Sequence, residues 1–172
     1  MIRWLGIGLV IAGSTAVGLA VSWEMEKRLV QLREMRRMVG MLEGEIRCAN
    51  STLSECFRHV AGRICEPFGA FLENMAEHME EFRGDTVQEI FTQHVEQDLR
   101  DTALATEDLE QLKRLGEQLG YLDAQMQLNA LALYQNQLED SYKRAAEAFA
   151  GKAKLCRYLG LMGGLFLAII FI

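Results

Sequence analysis

Few side chains in this sequence could act as nucleophiles or metal ligands, and their spacing does not match that of a known catalytic or metal site. The four cysteines form no Cys-x-x-Cys pair and lie at Cys48, Cys56, Cys65 and Cys156. Cys56 and His59 are one helical turn apart and supply half of a zinc site, but no second pair of matching spacing completes it. His78 and His94 are isolated in the sequence, so we expect surface or partly buried residues. The sequence predicts no metal and no cofactor.

Other chemistry is also disfavoured. Gly116 and Gly120 do not form a phosphate-binding loop, because no Gly-Lys-Ser/Thr follows them and no predicted strand precedes them. No set of acid, base, nucleophile or metal ligands converges elsewhere, so we expect the protein not to be an enzyme. The 24 acidic residues exceed the 18 basic ones, which gives a formal net charge of −6 at pH 7. Because phosphate attraction needs clustered Lys and Arg, we expect no nucleic-acid partner.

The N-terminal segment reads as a membrane span. Residues 4–23 contain no charge, and Trp4 and Trp23 would lie near the two membrane interfaces. The alternative is a cleaved signal peptide with Ala16-Val17-Gly18 as the cleavage site. The apolar run continues to Val21 and the positive charge follows it, which favours a retained anchor. We therefore predict a transmembrane helix over residues 1–23.

A second, shorter span is predicted over residues 158–172, which contain no charge. They would extend about 22 Å, less than the hydrocarbon core of about 30 Å, but Lys152, Lys154 and Arg157 can reach the interface with their long side chains. Most basic residues near the two spans lie between them, so the positive-inside rule places residues 24–157 in the cytoplasm and both termini outside. We expect an integral membrane protein, in contact with lipid, that holds one cytoplasmic domain.

The intervening residues read as helix throughout. Apolar residues recur at helical spacing up to about residue 47, and Thr52 with Glu55 predicts a capping box for a helix to about residue 65. Pro67 can start a third helix, Gly84-Asp85 marks a stop and a new cap, and Thr106 opens a fifth helix. The last helix runs from about residue 124 to residue 172. The sequence predicts an all-α, antiparallel bundle of about six helices flanked by two transmembrane helices.

The turn before the last helix combines several specific signals. Gly120 is typical of a helix that ends in a left-handed conformation, and Asp123 can accept hydrogen bonds from the first turn of the next helix. Gln127 could bond back to the turn from one helical turn later. We interpret this turn as architectural, and the alternative is that it also presents a partner surface. Its motif residues are Leu115, Gly116, Leu119, Gly120, Asp123 and Gln127.

Charge is unevenly distributed along the domain. Residues 66–123 hold 15 acidic and 4 basic residues, a net of −11, whereas residues 24–47 hold 5 acidic and 6 basic ones. If the bundle stands upright on its anchors, many of these acidic side chains lie away from the membrane. There they would attract a basic partner. The alternative is an ordinary solvated surface. Four residues around a predicted helix end are the candidate docking site: Glu77, Glu80, Glu81 and Asp85.

Several stretches resemble a known family over nearly the whole chain. They are Leu115-Gly116-x-x-Leu119-Gly120-x-x-Asp123-x-x-x-Gln127, Tyr158-Leu159-Gly160-Leu161-Met162-Gly163-Gly164-Leu165, Arg28-Leu29-x-Gln31-Leu32-Arg33 and Leu42-Glu43-x-Glu45-Ile46. These residues resemble the stage III sporulation protein AB family of endospore-forming bacteria. That family is similar to the cytoplasmic domain of the inner-membrane platform protein of type II secretion and type IV pilus machines.

The resemblance implies a platform subunit of the channel complex that links mother cell and forespore. Its bundle would face the mother cell from the outer forespore membrane and would dock a cytoplasmic secretion-type ATPase beside other membrane subunits. The alternative function is a membrane-anchored sensor or regulator in which the long last helix transmits a change across the membrane. Whether two copies pair into a homo-oligomer stays open.

Overall fold

Six helices make up the described part of the computed structural model, and no strand occurs there. The structure describes residues 2–48, 52–81, 84–120 and 123–171, with side chains for residues 22–48, 52–81, 84–120 and 123–151. The helices are α1 (Ile2–Cys48), α2 (Leu53–Ala61), α3 (Phe68–Glu80), α4 (Val87–Asp98), α5 (Thr106–Leu119) and α6 (Ala124–Phe171). The predicted all-α bundle of about six helices is confirmed for this part of the chain.

Consecutive helices run up and down, and α1 pairs most extensively with α6. The α4–α5 loop lies beside the early part of α1, because Gln31 Oε1 accepts a hydrogen bond from Ala103 N at 2.7 Å. At the opposite end, α4 begins where α5 ends, because Gln88 bonds Glu117 at 3.2 Å. We call the end formed by the close of α3 and α5 and the start of α4 and α6 the distal end. The end at the α4–α5 loop is the base.

Short-range capping explains where several helices begin. At α2, the Thr52 side chain accepts from Glu55 N while the Glu55 carboxylate accepts from Thr52 N, which is the predicted capping box. This helix ends at Ala61 rather than near residue 65. At α4 the cap is Thr86, in a second box with Glu89, and not Asp85. Hydrogen bonds from Thr86 lower the pKa of Glu89.

The core lies between α1, α6 and the four shorter helices. Three aromatic rings meet edge to face at its centre, with 6.4 Å between the ring centroids of Phe57 and Phe91 and 5.6 Å between those of Phe71 and Phe91. Gly116, on α5, faces this cluster. A Cβ at position 116 would lie 2.3 Å from Cγ of Phe91, so only glycine lets α5 approach this closely.

The residues of the motif before α6 pack against and cap neighbouring helices, but the glycines do not act as predicted. Gly116 lies inside α5, where it makes room for Phe91 rather than for a turn. Gly120 follows α5 with φ −76°, so the predicted left-handed conformation is wrong, and its role is close contact with Val87. Leu115 and Leu119 are buried in the core.

The two polar residues of the motif form the expected hydrogen bonds. Asp123 Oδ1 accepts from Met126 N at 2.9 Å and so caps α6. Gln127 Nε2 donates to the carbonyl oxygen of Leu119 at 2.8 Å and so satisfies a terminal carbonyl of α5. These bonds hold the end of one helix to the start of the next across the distal end.

The two predicted membrane spans fall on residues 1–23 and 158–172. Apart from residues 22 and 23, their side chains lie outside the described part of the chain, although the α1 and α6 helices continue into both spans. In the part of the chain that the structure describes, no helix combines the length and the apolar character that a membrane crossing needs.

Replacing Gly116 tests the close approach of α5. We expect Gly116→Ala to lower the free energy of unfolding by about 1–2 kcal/mol, because Phe91 must leave its packed position. The matched control is Gly44→Ala in α1, where a Cβ would meet no atom within 4 Å. There the better helix propensity of alanine should raise stability by about 0.5–1 kcal/mol. Urea unfolding of both variants measures the difference, and equal effects would contradict the assignment.

Candidate partner-binding site

The four acidic residues that the sequence singled out lie together at the distal end. Glu77 and Glu80 belong to the last turns of α3, Glu81 follows that helix, and Asp85 precedes α4. All four are exposed. The positive φ of 93° at Gly84 lets the chain reverse between them. The α3–α4 turn therefore brings the four side chains to one surface, which we call the acidic turn surface.

Glu80 and Asp85 have side-chain partners within the domain, Arg58 and His78. Arg58, on α2, donates to both oxygens of Glu80 at 3.0 Å and to Glu73 at 3.2 Å. The bond to Glu80 is the main cause that raises the pKa of Arg58. Exposed ion pairs of this kind add little stability. The bidentate contact of Arg58 with Glu80 does, however, fix the orientation of the Glu80 carboxylate. Glu77 forms no ion pair with any side chain in the described residues, so it is better placed than Glu80 to meet a partner.

Behind the acidic turn surface, the two histidines join α3 to α4. His78 Nε2 lies 3.0 Å from Asp85 Oδ2, and His78 Nδ1 lies 3.2 Å from His94 Nε2. His94 Nδ1 lies 2.9 Å from Asp98 Oδ2, which also accepts from Asn74 Nδ2 at 3.1 Å. His78 is partly buried, as expected, whereas His94 is buried, and the two rings are in contact although the residues are isolated in the sequence. They form the middle of a continuous polar chain, which we call the histidine chain.

The hydrogen positions of the histidine chain follow from its ends. Because an ionised carboxylate only accepts hydrogen bonds, the ring nitrogens that face Asp85 and Asp98 must donate. The two nitrogens that face each other then need a third hydrogen between them for a hydrogen bond to form.

The residues of the half zinc site do not converge. Cys56 is buried and burial raises the pKa of its thiol, whereas His59 is exposed and faces Glu45 at 3.4 Å. Within the part of the chain that the structure describes, no group of three or more His, Cys, Asp or Glu side chains could hold a metal ion. The described cysteines, Cys48, Cys56 and Cys65, are free thiols.

A partly buried ion pair at the base was missed by sequence reasoning. Asp108, 1% exposed, accepts from Arg28 Nε at 3.0 Å and from Ala105 N at 2.9 Å. Its other oxygen is buried without a hydrogen-bond partner in the described chain. Burial is the main cause that raises the pKa of nearby Tyr134, and the charge of Asp108 adds to it. The contact joins residues that are 80 positions apart, so no local pattern could reveal it.

The histidine chain, in contrast, left a recognisable signal. Asn74 and His78 are four residues apart, and so are His94 and Asp98. Such pairs share one helix face. If α3 and α4 are antiparallel neighbours, the two polar pairs lie on facing helices, and their contact could have been expected.

Fold and site together define an up-and-down helical bundle whose candidate site is an acidic surface backed by a histidine chain. The model of the family described as stage III sporulation protein AB matches residues 3–172, and the chain belongs to this family.

Two relatives show how far this likeness extends. The chain is 24% identical to stage III sporulation protein AB of Bacillus subtilis (strain 168) over 170 residues, which are 99% of each chain. A solved structure of a stage III sporulation protein AB superposes with a TM-score of 0.66 at 23% identity, over 72% of this chain and 97% of that one. At this identity the structural likeness concerns the fold.

A double-mutant cycle tests the histidine chain. We expect His78→Ala and His94→Ala each to destabilise the protein and the double variant to lose less than their sum. The coupling should be about 1 kcal/mol, because the hydrogen bond between the two rings is lost only once. Urea unfolding measures it, with His59→Ala as an exposed control that should change stability by less than about 0.5 kcal/mol. Additive effects of the two substitutions would contradict the contact.

Proposed function

We propose that this protein is a non-enzymatic platform subunit of the sporulation channel complex between mother cell and forespore. Its bundle would dock a cytoplasmic secretion-type ATPase beside other membrane subunits. Two transmembrane spans, residues 1–23 and 158–172, would hold it in the outer forespore membrane with the bundle on the mother-cell side. Membership of the stage III sporulation protein AB family supports the sporulation role. The direction of α1 and α6 supports the platform role, and the distribution of charge supports the docking of an ATPase.

The arrangement of α1 and α6 is the observation that carries the platform proposal. The two helices are antiparallel, since Arg36 pairs with Glu139 and Arg33 bonds Tyr142 at 3.1 Å. The start of α1 and the end of α6 therefore point the same way, beyond the base. Both predicted spans would leave the bundle on one side, and the distal end would face away from the membrane. A bundle held in this way presents its acidic turn surface to the cytoplasm.

The docking proposal rests on charge. Between Leu53 and Leu119 the chain carries many more acidic than basic side chains. Several of these carboxylates already have a hydrogen-bond or ion-pair partner within the domain. Glu55 and Glu89 cap helices, and Glu80 pairs with Arg58. Glu77, which has no such role in the described structure, stays available. A basic patch on a partner would be attracted to this surface, and attraction of this kind speeds association more than it tightens binding.

The alternative function, a membrane-anchored sensor, has one observation in its favour. α6 is a single helix of 48 residues that runs from the distal end into the predicted span. A continuous helix could carry a displacement from one side of a membrane to the other. A ligand-dependent change in the purified protein would favour this function, whereas stable binding of an ATPase favours the platform.

Co-purification tests the platform. We expect the full-length protein, extracted in mild detergent from sporulating cells, to bring with it a secretion-type ATPase and other membrane subunits. Replacing the acidic turn surface (Glu77→Gln, Glu80→Gln, Glu81→Gln and Asp85→Asn) should lower ATPase recovery about tenfold or more, because four favourable charges are lost. Quantitative mass spectrometry measures the recovery, and circular dichroism checks that helical content is unchanged.

A matched variant controls for the loss of charge as such. Glu107→Gln, Glu110→Gln, Asp140→Asn and Glu147→Gln remove four exposed acids from α5 and α6. Two of these are paired with basic side chains, Glu107 with Arg144 and Glu110 with Lys113, as Glu80 and Asp85 are paired at the acidic turn surface. We expect this variant to recover the ATPase as well as the parent protein does. Equal losses from both variants would contradict docking at the acidic turn surface.

A further inference from the structure

A second surface lies at the base of the bundle, away from the acidic turn surface to which the ATPase is proposed to bind. A cleft of about 700 Å³ lies between the first described turns of α1 and the α4–α5 loop. Its α1 wall carries Trp23, Lys27 and Val30, which share one helix face at intervals of four and three residues. Asp101, Thr102 and Ala103 form the opposite wall. We call this feature the base cleft.

The base cleft exposes two large apolar side chains to solvent. Trp23 is 67% exposed and Val30 is 50% exposed, and both are among the few large apolar side chains exposed in the described bundle. The Lys27 ammonium lies 4.7 Å from the centre of the Trp23 ring. The Trp23 ring therefore already forms a cation–π contact. A cationic side chain of a partner could bind the ring in the same way.

The walls of the base cleft are fixed before any ligand arrives. Gln31 Oε1 accepts from Ala103 N, and Thr102 Oγ1 donates to the carbonyl oxygen of Leu99 at 2.6 Å. The partly buried Arg28–Asp108 pair holds the start of α5 to the same part of α1. Binding to a preformed groove avoids the cost of ordering loops.

Charge identifies what the base cleft would bind. Four carboxylates line it, from Glu24, Glu26, Glu66 and Asp101, against the single ammonium of Lys27. The side chains of Glu24, Glu26 and Asp101 form no ion pair or hydrogen bond within the described residues, while Glu66 accepts from Ala70 N at 3.0 Å. The cleft therefore offers apolar surface inside a negative rim. Its complement is a segment with both apolar and positively charged side chains.

We propose that the base cleft binds a Lys/Arg-rich amphipathic segment of another membrane protein, at the place where that segment leaves its own span. This inference rests on the proposed topology, which puts residue 23 at the cytoplasmic face of the membrane. Lys and Arg are enriched in the cytoplasmic flanks of membrane proteins, so such segments lie at the height of the cleft. The partner's basic side chains meet the carboxylates, and its apolar ones cover Trp23 and Val30.

Lipid does not account for the same features. A tryptophan at a membrane interface explains Trp23 alone, because Val30 lies about 10 Å farther along the helix axis. The carboxylates of Glu24, Glu26 and Asp101 would repel anionic headgroups. A protein segment of opposite charge satisfies both the apolar and the acidic parts of the base cleft.

Site-specific cross-linking at position 30 tests the proposal. The full-length protein, with p-benzoylphenylalanine in place of Val30, is placed in nanodiscs of neutral phosphatidylcholine. The probes are a short synthetic amphipathic peptide of Lys, Leu and Ala and its counterpart with Glu for every Lys. We expect saturable cross-linking of the basic peptide alone. The double variant Glu26→Lys and Asp101→Lys should weaken its apparent affinity about tenfold or more.

The control variant reverses two exposed acids elsewhere, Asp140→Lys and Glu147→Lys, and should leave the affinity unchanged. Equal cross-linking of the two peptides, or no loss on reversal of Glu26 and Asp101, would overturn the proposal. In sporulating cells, the same probe should be recovered on a Lys/Arg-rich segment that flanks a span of a different protein. A cross-link to a second copy of this chain would contradict it.

Different results would contradict the base cleft proposal and the ATPase docking proposal. The Glu26→Lys and Asp101→Lys variant leaves the acidic turn surface intact, so we expect it to recover the ATPase normally. If the peptide fails to bind while the ATPase is recovered, the base cleft inference is wrong and the platform stands. If the peptide binds as expected while no ATPase is recovered from any variant, the docking proposal is wrong.

Discussion

The antiparallel pairing of α1 with α6 is the constraint on which the rest of the structure depends. Met35 and Tyr134 are buried in its seam, where the Tyr134 hydroxyl donates to Met35 Sδ at 3.1 Å. Outside the seam, Arg33 donates to the Tyr142 hydroxyl and Arg36 pairs with Glu139. The pair fixes which end of the bundle is the base. The four shorter helices then fill the space beside α1 and α6, with the α4–α5 loop at the base and the start of α4 at the distal end.

Acidic side chains serve different purposes at the two ends of the bundle. At the base, Asp108 is buried and joins α1 to the start of α5. At the distal end, Glu55 and Glu89 stabilise helix starts, where the helix dipole favours negative charge. His78 Nε2 lies 3.0 Å from Asp85 Oδ2, whereas Glu77 stays exposed. A large negative charge can therefore be compatible with a stable fold, because much of it has a local partner.

Local patterns predicted the helices and some of their caps, and they did not reveal the long-range contacts. The Thr52 capping box and the bonds of Asp123 and Gln127 depend on residues close in sequence, so spacing was enough to suggest them. Gly116 was assigned to a turn because its real partner, Phe91, is distant in the chain. The Arg28–Asp108 pair has no local signal. The acidic residues could be named from composition, but only tertiary structure shows that Arg58 and His78 already occupy two of them.

The most direct test of this account is the side of the membrane on which each end of the bundle lies. Single cysteines at residues 2, 77 and 172, in a chain whose native cysteines are replaced, can be labelled with a membrane-impermeant maleimide in spheroplasts of a bacterial host. The account predicts labelling at residues 2 and 172 in intact spheroplasts and at residue 77 only after permeabilisation. Labelling of residue 77 together with either terminus in intact spheroplasts would contradict it.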